Sequence, residues 1–563
     1  MLRFALALAI SAIAASPATA ADAPASTHQQ LVSLFADWRA LNRAELVNGR
    51  PDYGPAAMNR KAGSLADLML QMTGIGTDGW TASQKGDYRL LQAEMNGLDF
   101  YFRVLKPWAR DPGFYQTVFP EMSDVPAHEG TYAEPVIDLF AYHWPLNAAD
   151  QTSLTKQLAT IPPLLTDARA NLAGSNAHDL WAYGDRAFRE QAEALAALEA
   201  GTLSLNDLDG RRTASLKGAS PALKSAVAKA REATLSFADW IKSEAPKRNG
   251  PSGVGKDNYN WYLKNVLLSP YDFDQQVTLL RRELDRSLAS LRLEEVRNRA
   301  APPIAEVKDP AAYKKMALAR EERLYRLLVD GGFITDKPYY RSALFGQLGD
   351  YTPPDQRNFF THVTALDPLP LSSHQFHWIE LARLRHEPHP SPIRQVPPLF
   401  NIYADRSEGL ATAMEEMLMQ AGLYDDEPHG RELVWIMLAN RAARGLASLR
   451  VQANEIGLDE AGKYHASWTP RGWSDANSRL VGFEQLLYLR QPGYGPSYII
   501  GKTQLDRLLA KASHRRRSTA SHSPRAIHSL PSGRPGSFRH RSSRTSSFSR
   551  QSKRNSTLHR TQG

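Results

Sequence analysis

Apolar residues recur at three- and four-residue steps through most of this chain, while alternating runs of β-branched residues are scarce. That periodicity constrains the fold most, because a stripe at helical spacing buries one face of a helix and cannot line one face of a strand. Between residues 221 and 241 the positions Leu223, Val227, Ala230, Phe237 and Ile241 keep one face inward. Similar patterns predict helices over 29–41, 65–73, 83–107, 154–173, 178–201, 272–299, 311–331 and 432–457. A further helix capped by Ser474 runs to about Leu489, and a last one covers 499–509. The predicted class is all-α, a large multi-helix fold with a central cleft.

Punctuation in the sequence divides this body. Pro302-Pro303 stop helix formation and mark the clearest boundary, giving an N-terminal half over 21–300 and a C-terminal half over 301–510. The run GPSGVGK at 250–256 resembles part of a phosphate loop, but Asp257 stands where a magnesium-binding hydroxyl is needed. No buried strand precedes the run, so it reads as a glycine-rich turn.

Residues 1–20 combine Arg3, an apolar run from Phe4 to Ala15 and the small-residue pattern Ala18-Thr19-Ala20. This reads as a signal peptide, shorter than the roughly 20 apolar residues of a membrane span, and predicts a periplasmic or secreted protein with no membrane span after signal removal. The 563 residues include no Cys, which excludes disulfides, thiol nucleophiles and cysteine-ligated zinc. Any metal site must therefore use His and carboxylates.

The net charge of +9 is not spread over the body: 13 of the 68 Lys and Arg fall from Lys511 onward, with no Asp or Glu. The preceding residues carry 55 basic against 59 acidic groups and offer no footprint for specific nucleic-acid binding. The Ser- and Arg-rich tail, 511–563, has too little apolar surface to offset chain entropy and is expected to be disordered. It reads either as a basic arm for anionic partners or as the product of a changed reading frame.

The densest collection of potential ligands lies between Leu371 and Leu423, with His374, His377, Glu380, His386, His389, Glu408, Glu415 and Glu416. Zinc hydrolases without cysteine ligands hold the metal with two His one helical turn apart and a carboxylate from a second helix, and a Glu beside the first His activates water. Here the two His are three apart, and Gln375 occupies the place of the base. Phe376, Trp378, Ile379, Leu381 and Leu384 surround them, so both also fit buried core histidines. Glu408 fits either a metal ligand or, through Asp405-Arg-Ser-Glu408, a capping box.

At these residues the chain resembles a bacterial family known as domain of unknown function 885, a mostly helical group similar to zinc metallopeptidases. The resemblance spans most of 25–510. It rests on RSEGLATAMEEMLMQAGLYDD, similar to the family's Glu-Gly-Trp-Ala helix, and on PGYGPSYIIGKTQL, similar to its Pro-Gly-Gln-x-x-Ser-Tyr-x-x-Gly segment. It draws also on WARDPGFY, IPPLLTDARANL and GVGKDNYNWYL.

The resemblance implies a zinc site made by a His-Glu-x-x-Pro-Gly-His-His motif and the Glu matched by Glu408. Ser372-Ser373-His374-Gln375 approximates the end of that motif, but Pro368 stands at its first His, and Ile499 replaces a Lys that often follows the Tyr matched by Tyr498. The leading expectation is an exported metallopeptidase-like protein with a degenerate site and no bound cofactor, its cleft open to a peptide or small-molecule ligand. The alternative is a working zinc-dependent peptidase or hydrolase, with His374, His377 and Glu408 as ligands, Glu380 or Glu415 as base, and Tyr498 stabilising an oxyanion.

Overall fold

A computed structural model of the protein describes residues 27–47, 49–125, 131–400 and 404–520. The signal-like segment and the tail beyond Ala520 lie outside the described residues. Helices dominate, as the periodicity predicts, and the described residues up to Arg507 form one compact unit. Among the described residues no helix is long and apolar enough to cross a membrane.

The core is organised by Gly430–Gln452, a helix buried on nearly every side. Phe273–Arg297 packs along it. That helix starts at a capping box, with Asp272 and Gln275 bonding each other's backbone, and turns Leu280, Leu284, Ser287 and Leu291 inward. Close approach is possible because Gly445 has no side chain: a Cβ there would lie 2.4 Å from Leu280 Cδ2 and 3.1 Å from the Gly495 carbonyl. The helices on either side of Pro302-Pro303 thus share a core, and the first of them already ends at Arg297, before the prolines. In the N-terminal half, Asp185–Ala200 packs against Pro221–Glu244, whose start is capped by Ser220 accepting from the Leu223 amide.

Several predicted helices are shorter or broken. The 154–173 pattern divides into Ala148–Leu158 and Ile161–Asn171, the second opening on Pro162 and Pro163. The 178–201 pattern divides at Gly184 into His178–Ala182 and Asp185–Ala200. Ser478, not Ser474, caps Arg479–Arg490, accepting from the Val481 amide. The last helix, Tyr494–Ala520, begins earlier than predicted and runs ten residues into the expected tail. Pro496 falls in its first turn, where a missing N–H breaks no helical bond.

A hairpin joins Leu203–Asp207 to Gly210–Ala214. Its two-residue turn, Leu208-Asp209, is followed by Gly210 at φ +93°, and this with the alternating burial is a legible signal that the helical reading passed over. The GVG turn is structural: the Gly255 amide donates to the Gln452 carbonyl at 2.8 Å, and Gly255 has φ +81°.

Candidate metal centre

The short helix Leu369–His374 is started by Asp367, whose side chain accepts from the Leu369 amide at 2.9 Å. It ends at Gln375, whose non-helical ψ of 13° separates it from Phe376–His386. His374 and His377 therefore sit on either side of a turn rather than on one continuous helix. Their Nε2 atoms face each other at 3.3 Å.

Glu408 comes from Ala404–Gln420, and its Oε2 lies 3.5 Å from His374 Nε2 and 3.3 Å from His377 Nε2. The helix can present it there because Gly409 meets Gly501 of the last helix, where a Cβ would fall 2.4 Å from the facing Cα. Glu408 does not form the capping box, and Asp405 instead accepts from Gln504 at 2.8 Å.

Each of the three groups is held from behind. Glu415 Oε1 lies 2.8 Å behind His374 Nδ1, an ion-pair contact without the alignment of a hydrogen bond. Ser407 Oγ is 2.9 Å from His377 Nδ1, and the Tyr494 phenol donates to Glu408 Oε1 at 2.5 Å. Glu415 is fixed in turn by Arg441 at 2.6 and 2.8 Å.

The spacing of the inward atoms fits a cation. Bonds of about 2.0–2.1 Å at tetrahedral angles separate ligand atoms by about 3.3 Å, against the observed 3.3, 3.3 and 3.5 Å. Among the described residues these three form a group able to hold a metal ion. Glu408 Oε2 is buried and meets no hydrogen-bond donor of good geometry. Arg441 pairs with Glu415 and Arg444 with Glu484, and the charge of Arg444 also reaches Glu408. Burial alone would raise the Glu408 carboxyl, but the imidazoles of His377 and His374 hold it well below its usual range. Burial would lower His377, and Glu408 with Asp124 outweighs it and raises that imidazole.

Glu380 points away from this centre. It binds Arg383 at 2.7 Å and also Arg406, and lines a small outer pocket with Phe376, His377 and Leu410. Tyr498 stacks on His374 with ring centroids 6.2 Å apart and carries Arg444 over its other neighbourhood at 4.3 Å. His386 stacks on Tyr339, and the His389 imidazole accepts from the Ser391 amide, so both stand apart from the centre.

Sequence reasoning missed Tyr494, although it precedes Tyr498 by four residues and so shares its face. It also gave no role to Arg441 and Arg444. It had no signal for Asp124, whose carboxyl interacts electrostatically with His377, Glu408 and His374.

Residues 46–321 match the family described as bacterial protein of unknown function, DUF885. The match ends before His374, so it covers the segment holding Asp124 but none of the three inward-facing groups. No curated protein matches the chain. Two solved structures share the fold. One is a candidate lipoprotein of unknown function from Shewanella oneidensis, 12% identical with a TM-score of 0.60, covering 87% of this chain and 94% of that one. The other is a candidate lipoprotein from Colwellia psychrerythraea, 14% identical with a TM-score of 0.58 and the same 87% and 94% coverage.

Proposed function

We propose that this protein is an exported metal-dependent hydrolase, its cation held by His374, His377 and Glu408. The observation that carries the reading is the convergence of His374 Nε2, His377 Nε2 and Glu408 Oε2 to 3.3–3.5 Å of one another, each braced by a further side chain. Three lone-pair donors facing inward are relieved by a proton or by a cation, and their near-tetrahedral spacing favours the cation. Zinc suits two imidazoles and a carboxylate, and when bound it would acidify water and polarise an acyl oxygen.

The chain's own groups then divide the work. Glu415 sets a negative charge behind His374, Tyr494 fixes one oxygen of Glu408 so that the other points inward, and Tyr498 offers a phenol beside His374 for a developing oxyanion. Export is supported by the signal-like residues 1–20 and by the description of both similar structures as candidate lipoproteins. Three protein ligands leave coordination open, as a hydrolytic site requires. Peptide or amide bonds are the substrate class that the resemblance to metallopeptidases suggests.

Metal content of the purified full chain after exposure to zinc tests the reading. About one zinc per chain is expected, with loss in His377→Ala and Glu408→Gln variants whose circular dichroism is unchanged. A metal-free wild-type protein would return the site to the ligand-binding reading.

A further inference from the structure

Two arginines line a second cavity, whose walls include none of His374, His377 and Glu408. It lies where the loop around Asp111 meets the end of the Arg479–Arg490 helix, holds about 40 Å³, and is lined by Arg110, Arg490 and Ser252 with Phe114, Leu180 and Leu489. That is room for a few waters or one small head group. The sequence pieces WARDPGFY and GPSGVGK, which the metal site leaves without a task, both contribute residues to it.

The charges at this cavity do not balance. Asp111 is fully occupied, accepting from Arg490 Nε at 2.7 Å, from Arg490 Nη2 at 3.1 Å and from the Gly113 amide at 2.9 Å. A Cβ at Gly113 would fall 1.6 Å from Arg490 Nη2, so any side chain there would displace the guanidinium. Arg490 Nη1 meets no acceptor among the described residues. Arg110 has carbonyl oxygens only: Nη1 meets those of Val104 and Leu105 at 3.4 Å, and Nη2 those of Ser252 at 3.2 Å and Pro251 at 3.5 Å. These long bonds place the group without neutralising it. The Glu190 charge that also reaches Arg490 is already shared by Arg186 and Arg479. Two guanidiniums thus face one carboxylate, and a positive charge left unpaired in a half-buried place is costly.

We infer that this cavity is a binding site for a small monocarboxylate with an apolar body. A planar carboxylate matches the fork of a guanidinium, and a single negative charge completes the sum. Phe114, Leu180 and Leu489 offer an apolar wall for the rest of the molecule. Neither the charge nor the walls depend on a metal at the other centre.

Butyrate binding to the metal-free full chain, followed by calorimetry, tests this against butyramide, a neutral molecule of similar shape, and against inorganic phosphate. One butyrate per chain is expected to bind in the millimolar range, with butyramide and phosphate weaker by about tenfold or more. Arg110→Gln, which leaves no carboxylate unpaired, should weaken butyrate by about tenfold or more with circular dichroism unchanged. Arg110→Lys, which keeps the charge without the fork, gives the same comparison with a smaller loss if the first variant does not fold. Equal binding of butyramide would mean that the cavity reads shape rather than charge, and tighter binding of phosphate would make it a site for another anion. Unchanged butyrate binding in the Arg110 variants would place the carboxylate elsewhere. Each of these results overturns the inference, as does a wild-type chain that takes up no butyrate.

Discussion

Glu415 and Glu416 stand side by side on the Ala404–Gln420 helix, about 100° apart around its axis, and face different charge clusters. Glu416 meets Arg286 in a two-bonded fork at 2.8 and 2.6 Å and Lys502 at 2.8 Å. Glu283 closes on the same Arg286 at 2.8 Å, and Asp506 accepts from Lys502 at 3.1 Å. Each acidic group in that cluster has a cation of its own chain. Glu415 lies behind His374, in a cluster where two arginines are matched by two glutamates and Glu408 is left facing imidazoles. In the first cluster every carboxylate meets a cation directly, and the cluster ties three helices together. In the second, Glu408 Oε2 faces only imidazoles, which either a proton or a bound cation can satisfy, and that is the difference between a brace and a candidate binding site.

Three measurements can break or sharpen this contrast. The largest effect is expected from Arg441→Ala, which leaves Glu415 buried without its guanidinium and should cost about 3–5 kcal/mol in chemical denaturation. Glu415→Gln in the same chain should recover part of that loss. Recovery to full stability with unchanged metal affinity would mean that Glu415 has no bracing role at His374.

The Glu416 cluster should show itself in acid. Burial alone would raise the Glu416 carboxyl, but hydrogen bonding to Arg286 and the charge of Lys502 bring it down to about 2. A folded value below the unfolded one means stability that is present above the unfolded range and lost as pH falls from about 4.5 toward about 2. The slope is at most about 1.4 kcal/mol per pH unit. Glu416→Gln should flatten this acid loss and leave zinc stoichiometry unchanged. If instead it removes zinc, the two clusters are one.

The smallest effect belongs to Tyr494→Phe, which deletes the donor to Glu408 Oε1 while keeping the ring. Zinc affinity, read by chelator competition, should weaken about 10–100-fold. An unchanged affinity would show that Glu408 is oriented by its helix alone.

Much of this was legible in the chain itself. The 3.6-residue stripes gave the all-α class, and His374, His377 and Glu408 stood out by residue type. Element ends were less legible: Ser474 and Ser478 both offer a cap hydroxyl, and only the packing of Arg479–Arg490 selects the second. The hairpin was passed over because its strands are five residues each and carry few β-branched side chains. At the site, sequence left Glu408 equally suited to a cap and a ligand, because both uses need the same residue on the same turn.

What the sequence determined by itself is local: helix spacing, proline and glycine breaks, the absence of cysteine, and the concentration of basic residues after Lys511. Tertiary structure decided which of the carboxylates faces the histidines and which face arginines. Those choices depend on how closely helices cross, at Gly445 against Leu280 and at Gly409 against Gly501. A spacing rule fixes directions along one helix, whereas a meeting of side chains from several is set by the distances between their backbones.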